Sequence, residues 1–112
     1  MRYHFKVHKE KKGYWAECIE LDGCQTQGDT AEELFDNMQE ALDLFLSEPD
    51  SSRRVFPQPK NIKKARNIYE VPVSPNVALA MKIREERIRM RLTQEEMTKR
   101  MEMKSLFSYQ RL

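Results

Sequence analysis

The chain has 112 residues, 39% of them apolar and 34% charged, with a formal net charge of +2. That suffices for one modest core. It leaves no candidate membrane helix, since no stretch approaches the roughly 20 apolar residues a bilayer span needs. The opening Met1-Arg2-Tyr3-His4 lacks a secretory pattern, so the expected compartment is the cytoplasm. Two cysteines, Cys18 and Cys24, are too few for a disulfide framework and lack metal-ligand pair spacing, so neither a metal nor a cofactor is expected.

The small net charge hides a division along the chain. Residues 14–50 carry eleven Asp or Glu and no Lys or Arg, whereas residues 51–112 carry fifteen Lys or Arg against six acids. Such asymmetry predicts two surfaces with two kinds of partner: a basic protein for the anionic block, and phosphate for the cationic half.

Residues 2–8 alternate, with Tyr3, Phe5 and Val7 on one side and Arg2, His4, Lys6 and His8 on the other, which predicts a half-buried strand. Lys11-Lys12-Gly13 reads as a turn, with glycine free to take positive φ. A second strand is expected from Tyr14 to about Leu21, placing Glu17 and Glu20 on opposite faces. After a turn at Asp22-Gly23, a short third strand follows over Cys24–Gln27. Thr30 and Glu33 have capping-box spacing and predict a helix start. Ala31, Leu34, Phe35, Met38, Leu42 and Phe45 form its apolar stripe, and Glu32, Asp36, Glu40 and Asp43 its outer face.

Residues 49–66, with three prolines and a run of basic side chains, predict a surface loop and the place of earliest proteolysis. Ile68–Val73 returns as a strand, at an edge because Pro72 cannot donate to a ladder. Ser74-Pro75 then begins a helix to about Arg91. A second capping box over Thr93–Glu96 opens a short helix, and Ser105 is placed to cap a third. The expected fold class is α+β: a small antiparallel sheet in β-β-β-α-β order over residues 1–73, then an all-α segment over residues 74–112.

Three short helices with a capped second one have the layout of a DNA-reading helix-turn-helix. The outward residues of its third helix would be Lys104, Ser105, Phe107, Ser108, Gln110 and Arg111, supplying bidentate base contacts and phosphate contacts. The segment Leu92-Thr93-Gln94-Glu95-Glu96-Met97 resembles a stretch common in the lambda-repressor-like family. Against that family, Glu102 stands where the turn usually has glycine. The module also reads as incomplete at its C-terminus, so the expectation is that it is held poorly or is completed by another chain.

Further upstream, Met1-Arg2-Tyr3, Gly13-Tyr14, Thr26-Gln27-Gly28-Asp29-Thr30-Ala31-Glu32-Glu33 and Tyr69-Glu70-Val71-Pro72-Val73 resemble the HicB antitoxin family. The resemblance covers nearly the whole chain, although Asp22 is followed by Gly23 where the family often has proline. It implies a partial ribonuclease-H-like domain without catalytic function and a HicA-type toxin as partner, a small basic ribonuclease. It further implies repression of the chain's own operon through operator DNA, and a homodimer or higher oligomer. The candidate toxin-binding carboxylates are Glu17, Glu20, Asp22, Glu32, Asp36, Glu40 and Asp43. Two alternatives remain open: a stand-alone DNA-binding transcriptional regulator, and a metal-dependent nuclease. The nuclease lacks support because Glu17 and Glu20 do not converge and no phosphate loop or nucleophile motif is present.

Overall fold

A computed structural model describes residues 1–49, 51–93 and 95–102. The elements run β1 (Arg2–Lys9), β2 (Tyr14–Cys18), β3 (Gln25–Gly28), α1 (Ala31–Leu46), β4 (Ile68–Pro72) and α2 (Pro75–Arg89), followed by α3, helical over residues 95–102. The strands form one antiparallel sheet in the order β3-β2-β1-β4. The mixed α+β class expected from the sequence is therefore correct, and β4 with its Pro72 does lie at an edge.

Period-two patterning determines which side of the sheet is covered. Tyr3, Phe5, Ala16 and Val71 point to one face and are buried with Leu34, Met38, Leu42 and Leu46 of α1. Burial of each such side chain contributes about 1.5–3 kcal/mol. The expected helical stripe was slightly out of phase. Its row continues through Leu46, whereas Phe35 remains 43% exposed at the border. Register neighbours His4 and Glu70, Lys6 and Glu17, and His8 and Trp15 share the opposite, open face.

Two glycines set close approaches. Gly13 has φ +83 at the β1–β2 turn, as its position predicted. Gly28 lies under the first turn of α1, where an added Cβ would sit 2.6 Å from the Leu34 nitrogen. The N-cap of α1 is Thr30, whose Oγ1 accepts the Glu33 N–H at 3.1 Å. Ser47 ends the helix, its N–H donating to the Asp43 carbonyl at 3.0 Å.

The second strand is shorter than predicted, ending at Cys18 instead of about Leu21. The chain then bends, held by the Ile19 N–H to the His4 carbonyl at 2.8 Å. This bend overturns the expectation that Glu17 and Glu20 face opposite ways. Glu17 meets His8 and Glu20 meets His4, both on the open side.

At the start of α2, Ser74 occupies the N-cap but makes no side-chain capping bond. Its Oγ donates instead to Asp43 of α1, and its N–H donates to Asp43 Oδ1 at 2.9 Å. About two turns further along, Met81 is buried in the same cluster as Tyr3 and Phe5.

Candidate functional site

The seven candidate carboxylates separate into three groups. Glu32, Asp36 and Glu40 form an exposed row on α1 at four-residue spacing. None of the three makes an ion pair among the described residues. Like charges at this spacing destabilise a helix by about 0.2–0.5 kcal/mol per pair, and the helix dipole favours only Glu32 in the first turn. Beside the row, the exposed Phe35 ring packs edge-on against Tyr69 of β4, with centroids 5.0 Å apart. Leu44, further along α1, is 75% exposed.

Asp43 does not belong to that row. Besides Ser74, its carboxylate accepts the Gln39 amide at 3.1 Å, and Gln39 also donates to the Pro72 carbonyl at 2.7 Å. These bonds tie α1 to the β4–α2 junction, so Asp43 holds the fold together.

On the other side of the sheet, Glu17 lies 3.0 Å from His8 Nε2, and the His8 ring stacks on Trp15 with centroids 4.1 Å apart. Asp22 is exposed in the β2–β3 turn, and with Glu17 and Trp15 it lines a shallow depression. The sheet therefore stands between Glu17 and the helix row, and Asp22 lies in the turn beyond the end of β2.

Glu20 is enclosed. Its oxygens accept the His4 backbone N–H at 2.9 Å and the Lys60 backbone N–H at 3.1 Å, and one lies 2.7 Å from His4 Nδ1. Burial pulls its pKa upward, but the hydrogen bonds from the His4 side chain and from the His4 and Lys60 N–H groups outweigh it. The net direction is downward. Tyr3, whose hydroxyl donates to the Pro57 carbonyl at 2.8 Å, is pushed up to about 12 by burial and by neighbouring Cys18, Glu20 and Glu85. A hydrogen bond with Cys24, together with burial, holds the Cys18 thiol protonated, well above its ordinary range. Among the described residues no three His, Cys, Asp or Glu side chains are grouped to hold a metal ion.

The cationic half begins with an extended strap, residues 51–66, which the sequence presented only as a loop. Phe56 is 4% exposed, and Arg54 covers its ring at 4.5 Å. The signal available in the sequence was this single aromatic, set before Pro57 in a basic run. Arg84 and Arg87 of α2 are buried and donate to the strap carbonyls of Arg54 and Ser52.

Past the strap, α2 ends in a Schellman motif. Leu92 N–H donates to the Arg87 carbonyl at 2.8 Å and Arg91 N–H to the Ile88 carbonyl at 3.1 Å. Arg91 takes φ 56, and Leu92 is buried. The expected capping box follows: Thr93 Oγ1 accepts the Glu96 N–H at 3.1 Å, and the Glu96 carboxylate accepts from Thr93 at 3.0 Å. Glu102 is helical, and the residues that follow it lie outside the described residues; the left-handed residue Arg91 belongs to the separate turn between α2 and α3. The six candidate DNA-contacting residues, Lys104, Ser105, Phe107, Ser108, Gln110 and Arg111, lie outside the described residues.

These features define a small α+β protein with a helix on one face of a four-stranded sheet, a divided charge pattern and a capped helix–turn–helix junction. Among the described residues no helix is long and apolar enough to cross a membrane. No family profile matches the chain. It is 36% identical over 69 residues to a UPF0150 protein of Synechocystis sp., covering 59% of this chain and 87% of that protein. It is also 34% identical over 55 residues to a UPF0150 protein of Helicobacter pylori, covering 49% and 76%. The chain belongs to the UPF0150 family.

Proposed function

We propose that this chain is the antitoxin of a type II toxin–antitoxin pair, as its resemblance to the HicB family implies. Its α/β lobe binds a small basic ribonuclease of HicA type, and its cationic C-terminal part binds operator DNA to repress the operon. The lobe performs no chemistry of its own in this reading. The observation that carries it is the unpaired row Glu32, Asp36 and Glu40 beside the exposed Phe35–Tyr69 pair.

A row of carboxylates that weakens its own helix gains stability when lysines or arginines approach it. The cations of a ribonuclease that hold RNA phosphates have the charge to do so, and their engagement would block substrate. An aromatic pair at the border supplies the desolvated contact around which interface energy concentrates. Glu17 points from the other side of the sheet and Asp22 lies in the β2–β3 turn, and neither is assigned to this interface. Glu20 and Asp43 are held internally and are not assigned to it either. For DNA, support comes from the α2–α3 junction with its Schellman end and capping box. Lys104, Ser105, Phe107, Ser108, Gln110 and Arg111 are the residues proposed to contact the operator.

The test is co-expression with a small basic ribonuclease of HicA type. Growth should be restored and the two proteins should co-purify, and the charge reversal Glu32/Asp36/Glu40→Lys should abolish both while leaving the fold intact. Persistent toxicity in the presence of folded wild-type chain would reject the antitoxin reading. Tight operator binding without rescue would indicate a stand-alone regulator.

A further inference from the structure

We propose that the strap, residues 51–66, is a phosphate-binding surface that lies along the backbone of duplex DNA, separate from the helix-turn-helix. Its sequence holds Arg53, Arg54, Lys60, Lys63, Lys64 and Arg66, with no Asp or Glu. Only Arg54 forms an ion pair, with Glu48 at 3.3 Å; the other five cations are exposed and make none among the described residues.

The anchoring of the strap selects which groups face outward. Phe56 is buried, the Pro57 carbonyl accepts from Tyr3, the Lys60 N–H donates to Glu20, and the carbonyls of Ser52 and Arg54 accept from the buried Arg87 and Arg84. Every one of these contacts uses backbone or ring atoms of the strap, and none of them engages the side chains of Arg53, Lys60, Lys63, Lys64 or Arg66. A linker whose only task is to connect two parts needs no such attachment. Holding the cations in place beforehand lowers the entropy lost when they meet a ligand.

Among the described residues Glu48 pairs with Arg54 alone. Of the other nearby acids, Glu70 lies 3.9 Å from Arg2 and 3.7 Å from His4, and Glu85 accepts from Gln58 at 2.7 Å, so neither pairs with a strap cation. Lys6 of β1, the register partner of Ile68, extends the cationic set onto the open sheet face. An extended series of exposed cations without ion-pair partners among the described residues matches a phosphate backbone, which is read by charge and not by base identity. The inference is independent of the antitoxin reading, since toxin rescue reports on the α1 row alone.

The experiment is an anisotropy titration of the full chain with mixed-sequence duplex DNA over a salt series. The variant Lys60/Lys63/Lys64/Arg66→Gln should bind at least about tenfold more weakly at low salt. Its dependence of log affinity on log salt should be shallower by about 0.9 for each phosphate that the variant no longer neutralises. Lys60/Lys63/Lys64→Arg should retain binding, and Lys9/Lys11/Lys12→Gln, in the β1–β2 turn, should leave the slope nearly unchanged. The double variant Lys63/Lys64→Gln covers the case of a misfolded quadruple variant and should give a partial weakening. A wild-type slope in the glutamine variants, an equal weakening in the turn control, or tighter binding to single-stranded RNA than to duplex DNA would overturn the proposal.

Discussion

The carboxylate of Glu20 and the backbone N–H of Lys60, forty positions apart in the chain, are joined at 3.1 Å. The same carboxylate receives both the backbone and the ring of His4. One enclosed side chain thus fixes the end of β2, the centre of β1 and the middle of the strap. Removing it strands four donors, the fourth being the Cys18 thiol at 3.8 Å, and loss of one partner from a buried charged network costs about 3–5 kcal/mol. Glu20→Ala should therefore lower the urea midpoint sharply, and trypsin should cut the basic strap of this variant much faster than that of the wild type.

The downward pKa of Glu20 also fixes a pH dependence. A carboxyl held lower in the folded state than in the unfolded one stabilises the fold above its unfolded value. That contribution disappears as pH falls through the folded value. The ordinary value is 4.5, so the contribution is complete at neutral pH and starts to fall as pH drops below it. Denaturation midpoints of the wild type should decline on acidification, roughly between pH 5 and pH 3. Glu20→Gln should be less stable at pH 7 and show a flatter profile over the same window.

Gly28 has no room for a side chain. Its added Cβ would lie 2.6 Å from the nitrogen and 2.8 Å from the Cα of Leu34, both backbone atoms of α1. Relief requires moving the helix off the sheet. Gly28→Ala should cost about 2–4 kcal/mol, in the range of overpacked core positions, with a lower Tm in a thermal melt.

Arg91 shows the opposite situation. It sits at φ 56 in the Schellman end of α2, a position where glycine is usual because a Cβ is unfavourable there. Its side chain is exposed. Arg91→Gly should stabilise the chain by up to about 1 kcal/mol, the left-handed cost relieved less the added entropy of an unfolded glycine. A raised Tm with unchanged secondary structure by circular dichroism is the expected result.

The local parts of this fold were legible in the sequence. Alternation of Tyr3, Phe5 and Val7 identifies a strand face, and Thr30–Glu33 and Thr93–Glu96 identify helix starts, because those signals lie within a few residues. The non-local parts were not. Glu20 and Asp43 read as surface acids, since nothing nearby shows that their partners are Lys60 and Ser74, 40 and 31 positions away. Phe35 read as core because it is apolar and near the stripe, yet its place a turn's edge from Leu34 and Met38 leaves it against Tyr69. Arg84 and Arg87 fall at helical spacing beside Met81 and Ile83, and nothing near them in the chain shows that their guanidinium groups reach the strap carbonyls.

The position of the sheet between α1 and residues 60–66 has a consequence for assembly. A macromolecule seated on the outer side of the helix does not occlude Lys60, Lys63, Lys64 or Arg66, because a complete β-layer intervenes. The two ligands proposed above would therefore meet opposite faces of the sheet.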